Sequence, residues 1–211
     1  MSWKQRGRGY HHGNLREALV NAALDLIAEK GPTGFTFAEA ARSAGVSPAA
    51  PYRHFRDRDE LLADVALRGF NKFTVALESA WDSGRPDAQT AFERVGRAYL
   101  AFARQEPAYY SAMFESGLAL AERAELREAS ERAYSVLRTA SEKLVAGMPA
   151  KGRPPASMVG LHIWALSHGM ASLFARGDEG RRRLPISPEE LLEAAMLIYQ
   201  RGLGVPESPP K

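Results

Sequence analysis

Apolar residues recur with helical period along nearly the whole chain. Leu15, Ala18, Leu19, Ala22, Ala23, Leu26 and Ile27 fall at i, i+3, i+4, i+7, i+8, i+11 and i+12, one stripe that predicts an amphipathic helix over about 15 to 30. Asn14 with Glu17 three residues on offers it an N-terminal cap, and Gly31-Pro32 offers a left-handed stop followed by a breaker. Thr36 and Glu39 then form a capping box for a short second helix, with Phe37, Ala40, Ala41 and Ala44 on its apolar face and Gly45 at its end. Ser47-Pro48 reads as a cap with proline in the first helical position, so a short third helix is expected almost at once.

Asp57 and Glu60 cap a much longer fourth helix, in which Leu62, Val65, Ala66, Gly69, Phe73, Ala76, Leu77, Ala80 and Trp81 keep helical spacing up to Gly84-Arg85-Pro86. At a rise of 1.5 Å per residue it extends roughly 35 to 40 Å, long enough to join a small head to a larger body. Phe92, Val95, Tyr99 and Phe102 mark a fifth helix, and Pro107 opens a sixth. Leu126, Ala133, Leu137, Ala140 and Leu144 mark a seventh, which a loop from Gly147 to Pro155 follows. Pro154 to Ala175 is an eighth, and Ser187-Pro188 with Glu190 caps a ninth that ends near Gly202. There is no strand pattern and no internal repeat, so the expected fold is all-α with nine helices.

Pro154 to Ala175 holds no Asp, Glu, Lys or Arg, a length that can span a bilayer. Its two histidines, His162 and His168, with Gly160, Gly169 and three serines, fit a helix buried against protein better than one facing lipid. No membrane partner is expected. Among 211 residues, 45% are apolar and 25% charged, the balance of a globular chain. The absence of cysteine removes disulfides, thiolate nucleophiles and sulfur-ligated metals together. With no secretory pattern in the first residues, the expected location is cytoplasmic.

Charge is unevenly spread. Residues 1 to 58 carry nine Lys/Arg against five Asp/Glu, whereas residues 59 to 211 carry nineteen against twenty. The basic excess lies in the head, which favours a polyanion partner there. In a helix-turn-helix the second helix enters the major groove by its N-terminal residues while the first crosses the backbone. Pro48, Ala49, Ala50, Tyr52 and Arg53 fit such a groove face, with Val46 and Phe55 turned inward and His54, Arg56 and Arg58 continuing a cationic run where phosphates pass.

At these residues the chain resembles the TetR family of bacterial transcriptional regulators. Residues 14 to 62 look like that family's DNA-binding head, and the nine-helix layout agrees. The segments YHHGNLREAL near the start and HIWALSHG at 162 to 169 resemble the branch with a Trp-His-Gly-bearing ligand domain. The resemblance implies a dimeric, ligand-responsive repressor of a near-palindromic operator, in which Thr36, Tyr52, His54 and Arg58 touch phosphates. DNA contact is also expected from Ser47, Pro48, Ala49, Ala50 and Arg53 of the turn and the reading segment. Arg53 reads a guanine or only meets phosphate; both readings stand. One departure is Pro51, where the family usually has an aliphatic core residue. A proline there removes a helical hydrogen bond and disfavours helical angles at Ala50, so the reading helix is expected to begin late or as a tighter turn.

The implied division is a basic arm (1–13), a helix-turn-helix head (14–60), a ligand-binding and dimerisation body (61–204) and a tail (205–211). Lys4, Arg6 and Arg8 in the arm either lie along DNA or remain solvated. The candidate ligand box is Phe73, Tyr99, Phe102, Tyr110, Phe114, Trp164 and His168, for an effector that is largely apolar or aromatic. At helical spacing such residues equally make plain core, and His168 is either a ligand-orienting group or a satisfied core histidine. The implied homodimer pairs the eighth and ninth helices, through Gly160, Ala165, Gly169 and Ser172 on one and Leu191, Leu192, Ala195, Ile198 and Tyr199 on the other. No H-E-x-x-H, phosphate-cradling glycine loop or G-x-S-x-G is present. No catalytic residue, metal or cofactor is therefore expected; His11 and His12 have nothing nearby to complete a metal site.

Overall fold

Two capping boxes found in the sequence set two helix starts in the computed structural model, which describes residues 15–175 and 185–203. Thr36 Oγ accepts from the Glu39 N–H at 3.2 Å while the Glu39 carboxylate accepts from the Thr36 N–H at 2.8 Å. Hydrogen bonds from Lys30 Nζ, at 2.8 Å, and from Thr36 hold that carboxyl down at about 2, so it stays ionised as a cap. Ser187 and Glu190 repeat the reciprocal pair at the last helix. Asn14 and both termini, with the arm, His11, His12, Arg181 to Arg183 and the tail, lie outside the described residues.

Among the described residues there are eight α-helices and no strand. They are α1 (Leu15–Lys30), α2 (Phe37–Ser43), α3 (Arg58–Trp81), α4 (Ala88–Gln105), α5 (Pro107–Phe114), α6 (Ala124–Ala146), α7 (Ala156–Ala175) and α8 (Pro188–Gly202). The count is one fewer than the spacing predicts, because the expected third helix is a four-residue 3-10 turn, Ala50–Arg53. The cause is local. Pro51 has no N–H to return to the Ser47 carbonyl, as an α-helix beginning at Pro48 requires. That carbonyl instead accepts from the Ala50 N–H at 3.0 Å, a tighter i to i−3 closure. Gly45, at φ +73°, makes the turn from α2 into this segment without the steric cost of a side chain.

The connector α3 is buried along one stripe: Leu61, Leu62, Val65, Ala66, Phe70, Phe73, Leu77 and Trp81. Its first turns pack on α1, and its remaining length packs on α4, α5 and α6. One hydrophobic core consequently runs from Leu19 and Phe55 in the head to Leu192 and Met196 in α8. The division expected at residues 60 and 61 falls inside the first turn of α3, so the two parts share a core.

Helix α7 buries Val159, Ile163, Met170 and Ala171 and turns Met158, Leu161 and Leu173 outward. Gly160 belongs to the inward side, contrary to its expected place at a subunit interface: a methyl there would meet Ser141 Oγ at 3.3 Å. In the same way Leu192 is buried against Gly96 of α4 and not offered to a partner. Ion pairs Arg97–Glu193 (3.0 Å) and Arg104–Glu189 (2.6 Å) fasten α8 to α4. No helix among the described residues is long and apolar enough to cross a membrane.

The short α5 is pressed against α3. A methyl on Gly69 would lie 2.8 Å from Met113 Sδ and 3.3 Å from Tyr109 Cβ, both belonging to α5. Gly69→Ala gains about 1 kcal/mol of helix propensity but overfills this contact at a typical cost of about 1–3 kcal/mol. The expected outcome is a thermal midpoint lower by about 2–4 °C; a midpoint raised by the substitution would show that α3 and α5 are free to part.

Candidate functional site

Two surfaces of the fold carry chemistry. The first is the head. Ser47, Pro48, Ala49, Tyr52, Arg53 and His54 are exposed on the turn after α2 and on the 3-10 segment, and Ala50 is half-buried. The segment is anchored by Phe55, buried beneath it, and by Pro51, which takes the core place of an aliphatic side chain. Tyr52 is 64% exposed, yet its ring stands edge-on to Phe37 of α2 at 5.1 Å between centroids. That contact fixes the phenol's direction and leaves its hydroxyl outward. Val46, expected inside, is half-buried.

Two expected phosphate contacts are already engaged. The Thr36 hydroxyl donates to Glu39 at 3.0 Å and accepts from its N–H, so both of its roles are used inside the cap. Arg58 turns inward: it donates through Nε to the Phe35 carbonyl at 2.9 Å, through Nη2 to the Pro32 carbonyl and through Nη1 to Asp59 at 2.9 Å. Its guanidinium also sits 4.9 Å from the Phe35 ring centroid, and only 25% of the side chain is exposed. Arg58 thus clamps the loop after α1 to the start of α3. The exposed cations without such ties in this head are Arg53 and Arg42, the latter in the last turn of α2. Arg42 escaped the sequence reading because nothing in its own neighbourhood marks it; it lies outside the reading segment.

The second surface is a cavity of about 400 Å³ in the body, walled by α3, α5, α6 and α7. Of the expected ligand residues, Phe73, Phe114 and Trp164 line it. They are joined by Phe70, Met113 and Tyr134, which the spacing alone did not single out, and by Leu137, expected only as a core position of its helix. Tyr134 and Trp164 rings lie 5.5 Å apart across the α6–α7 wall. Tyr99, Phe102, Tyr110 and His168 are not part of the lining. Phe102 packs on Phe73 at 4.9 Å as core.

Tyr99, Tyr110 and His168 form a polar cluster behind the aromatic wall. The two phenols approach His168 Nδ1 at 3.1 and 2.8 Å, and Trp164 Nε1 donates to the Tyr99 hydroxyl at 3.2 Å. Burial pushes the Tyr110 phenol up to about 12 and Tyr99 still further, so both remain donors. Burial also lowers His168, against the opposing charge of Glu115. With its proton on Nε2, neutral His168 offers its one Nδ1 lone pair to the two phenols, which also hydrogen-bond to each other. Tyr110 additionally faces a polar groove between the end of α1 and α5, lined by Lys30, Thr33, Ser111 and Glu115. Helix α5 therefore stands between the apolar cavity and the underside of the head.

A third feature is outward-facing. Leu161 and Leu173 of α7 and Leu197 and Ile198 of α8 are exposed, Ile198 at 73%. Ala165 and Gly169 share that outer side of α7, while Tyr199 is half-buried and bonded to His162 at 3.0 Å. No cluster of three potential metal ligands occurs among the described residues.

Comparison with known proteins agrees with this layout. Residues 19–65 match the family described as bacterial regulatory proteins, tetR family, and residues 92–199 match the tetracyclin repressor-like C-terminal domain. A protein with unknown function from Rhodococcus sp. RHA1 is 32% identical in sequence and superposes with a TM-score of 0.73, covering 93% of this chain and 98% of that one. The transcriptional regulator FadR from Bacillus subtilis, solved in complex with stearoyl-CoA, shares the fold at a TM-score of 0.69 and 14% identity. That superposition covers 86% of this chain and 96% of FadR. The uncharacterized HTH-type transcriptional regulator YobS of Bacillus subtilis (strain 168) is 26% identical over 100 residues, 47% of this chain and 51% of YobS. The matched stretch spans about half, or less, of the curated relatives' length.

The two arginines of the head are separable by experiment. Arg58→Ala leaves two backbone carbonyls without their donor and is expected to lower unfolding free energy by about 1–3 kcal/mol, while the salt dependence of duplex binding is kept. Arg53→Ala is expected to reduce the slope of log K against log salt by about one phosphate contact. Equal loss of slope in both variants would show that Arg58 swings out to DNA.

His168 makes the fold sensitive to acid. Its folded-state pKa lies below the ordinary value of about 6.5, so below that pH the unfolded chain binds a proton that the folded chain refuses. Stability from this group is full above about pH 6.5 and falls as the pH drops towards the folded-state value. The thermal midpoint is expected to fall between about pH 7.5 and about pH 5.5, and to fall less in His168→Gln, which retains an acceptor. Parallel profiles for the two proteins would contradict the assignment.

Proposed function

The chain belongs to the TetR family of bacterial regulatory proteins, and on that premise we propose that it is a ligand-responsive repressor acting as a dimer. In this reading two heads hold a near-palindromic duplex and release it when a small, largely apolar molecule fills the body's cavity. The observation that carries the reading is the course of α3. It begins immediately after the DNA-facing segment and supplies Phe70 and Phe73 to the cavity twelve and more residues later. A ligand that changes how α3 packs against α5 and α6 therefore changes the orientation of the head.

Pairing through the outer sides of α7 and α8 supports the dimer, since Leu161, Leu173, Leu197 and Ile198 are apolar and unpartnered within the chain. A twofold arrangement places the heads in successive major grooves when they lie about 34 to 36 Å apart. DNA contact is assigned to Ser47, Pro48, Ala49, Tyr52, Arg53 and His54. The reading surface is rich in methyl groups, so thymine contacts and duplex shape supply much of the specificity. FadR's stearoyl-CoA is a precedent for a small-molecule complex of this fold; the chemistry of the effector here is set by this chain's own lining.

The test is thermodynamic. Duplexes selected from a random pool should share a near-palindrome. A molecule that raises the chain's thermal midpoint should weaken that duplex by some factor, and the duplex should weaken the molecule by the same factor. If a molecule bound in the cavity leaves duplex affinity unchanged at fixed salt, ligand response is refuted and DNA binding stands.

A further inference from the structure

The charge of the cavity narrows the class of molecule it can take. Among the described residues no Lys, Arg or His lines it, and the one charged residue on its lining is Glu131, on α6. Glu131 has a single ion-pair neighbour, Arg127, at 3.9 Å, and both side chains are about half or more exposed. So open and long a pair contributes little and leaves the carboxylate available. A second, independent source of negative potential comes from the backbone. Helix α5 ends at Phe114, and Met113, Phe114, Ser116 and Gly117 all reach the lining. The last turn of α5 thus forms part of the cavity wall, and the C-terminal end of a helix carries partial negative charge.

The remaining walls are aromatic. Phe70, Phe73, Phe114, Tyr134 and Trp164 surround the space, and the negative face of such rings attracts a cation, Trp most strongly. A carboxylate, sulfonate or phosphate entering this space would lose its hydration with no cation to receive it. Ring faces, helix end and carboxylate therefore all favour the same sign of charge.

We propose that the effector is a lipophilic cation. An aromatic or branched apolar body occupies the 400 Å³ cavity, and one amine or quaternary ammonium lies near Tyr134 and Trp164 with Glu131 as its counter-charge. The assignment rests on the ligand-responsive reading above and specifies its chemistry. It separates this cavity from one built for a fatty acid or an acyl-CoA.

Three probes of one shape test it: 4-butylphenyltrimethylammonium, its neutral isostere 1-butyl-4-tert-butylbenzene, and 4-butylbenzenesulfonate. Each is titrated into the full chain while Trp164 emission is followed, with Trp164→Phe identifying that residue's share of the signal. The ammonium should bind roughly tenfold more tightly than the neutral isostere, and the sulfonate should not bind. Glu131→Gln should cut the ammonium's advantage over the neutral probe severalfold. If the neutral compound binds as tightly as the ammonium, or the sulfonate binds, the cation assignment is overturned while the ligand-responsive reading remains. If none of the three alters Trp164 emission, the assignment and the cavity's role as a ligand site fail together.

Discussion

A single buried stripe on α3, from Leu61 to Trp81, is shared by the head and the body. Each large apolar side chain in it contributes about 1.5–3 kcal/mol by leaving water, so the head cannot hinge freely about the start of α3 without exposing Leu61, Leu62 and Val65. Motion of the head must therefore carry α3 with it. Because close-packed interiors shift between discrete arrangements more readily than they deform, a small change at Phe70 or Phe73 is suited to produce a definite change of head orientation. Helix α5 is the other partner in that contact, held to α3 at Gly69 and facing α1 through the groove that Tyr110 and Ser111 line.

Electrostatics sets the geometry of this joint more than its strength. Asp64 of α3 pairs with Arg16 of α1 at 2.7 Å and with Arg68 at 3.0 Å, and Arg68 also reaches Glu17. The Asp64 side chain is only 10% exposed, and its pairs, with that of Arg68 to Glu17, together fix the rotation of α1 about α3. Arg58 differs in kind. Its partners are the partly buried carbonyls of Phe35 and Pro32, so it secures the chain path between α1 and α2.

What the sequence revealed is what local chemistry determines. Thr36, Asp57 and Ser187 cap their helices because the partner N–H lies within three residues, and spacing alone exposes that. The lost third helix was foreshadowed in Pro51, since a missing N–H is visible in the sequence; the 3-10 closure from Ala50 to Ser47 needed coordinates. Non-local facts stayed hidden. Arg58 turns inward because of carbonyls more than twenty residues away, and Gly160 faces inward because α6 brings Ser141 to it. Aromatic residues were found, but Tyr99 and His168 lie behind the wall that Phe114 and Trp164 form. Tyr134 and Glu131 had no mark in the sequence, because what they border is set by helices distant in the chain.

The inward turn of Arg58 also bears on why a head of this kind needs a second copy. Each phosphate neutralised contributes to affinity through released counterions, with a slope of about 0.9 per contact on duplex DNA. In the described part of one head, Arg53 and Arg42 are the cations left unengaged, and the groove-facing residues Pro48, Ala49 and Ala50 offer no side-chain donor to a base. With Ser47, Tyr52 and His54 as the other donors proposed there, a head whose cations are so few has its affinity set largely by salt-sensitive phosphate contacts. In the proposed dimer, linking two heads through α3 and a paired α7–α8 would turn the second contact into an intramolecular one, which would raise affinity without any new contact. On that proposal, sequence preference would be expressed mainly through the spacing and shape of the two half-sites, and a ligand that altered head separation by a few ångströms would act on the quantity to which binding is most sensitive.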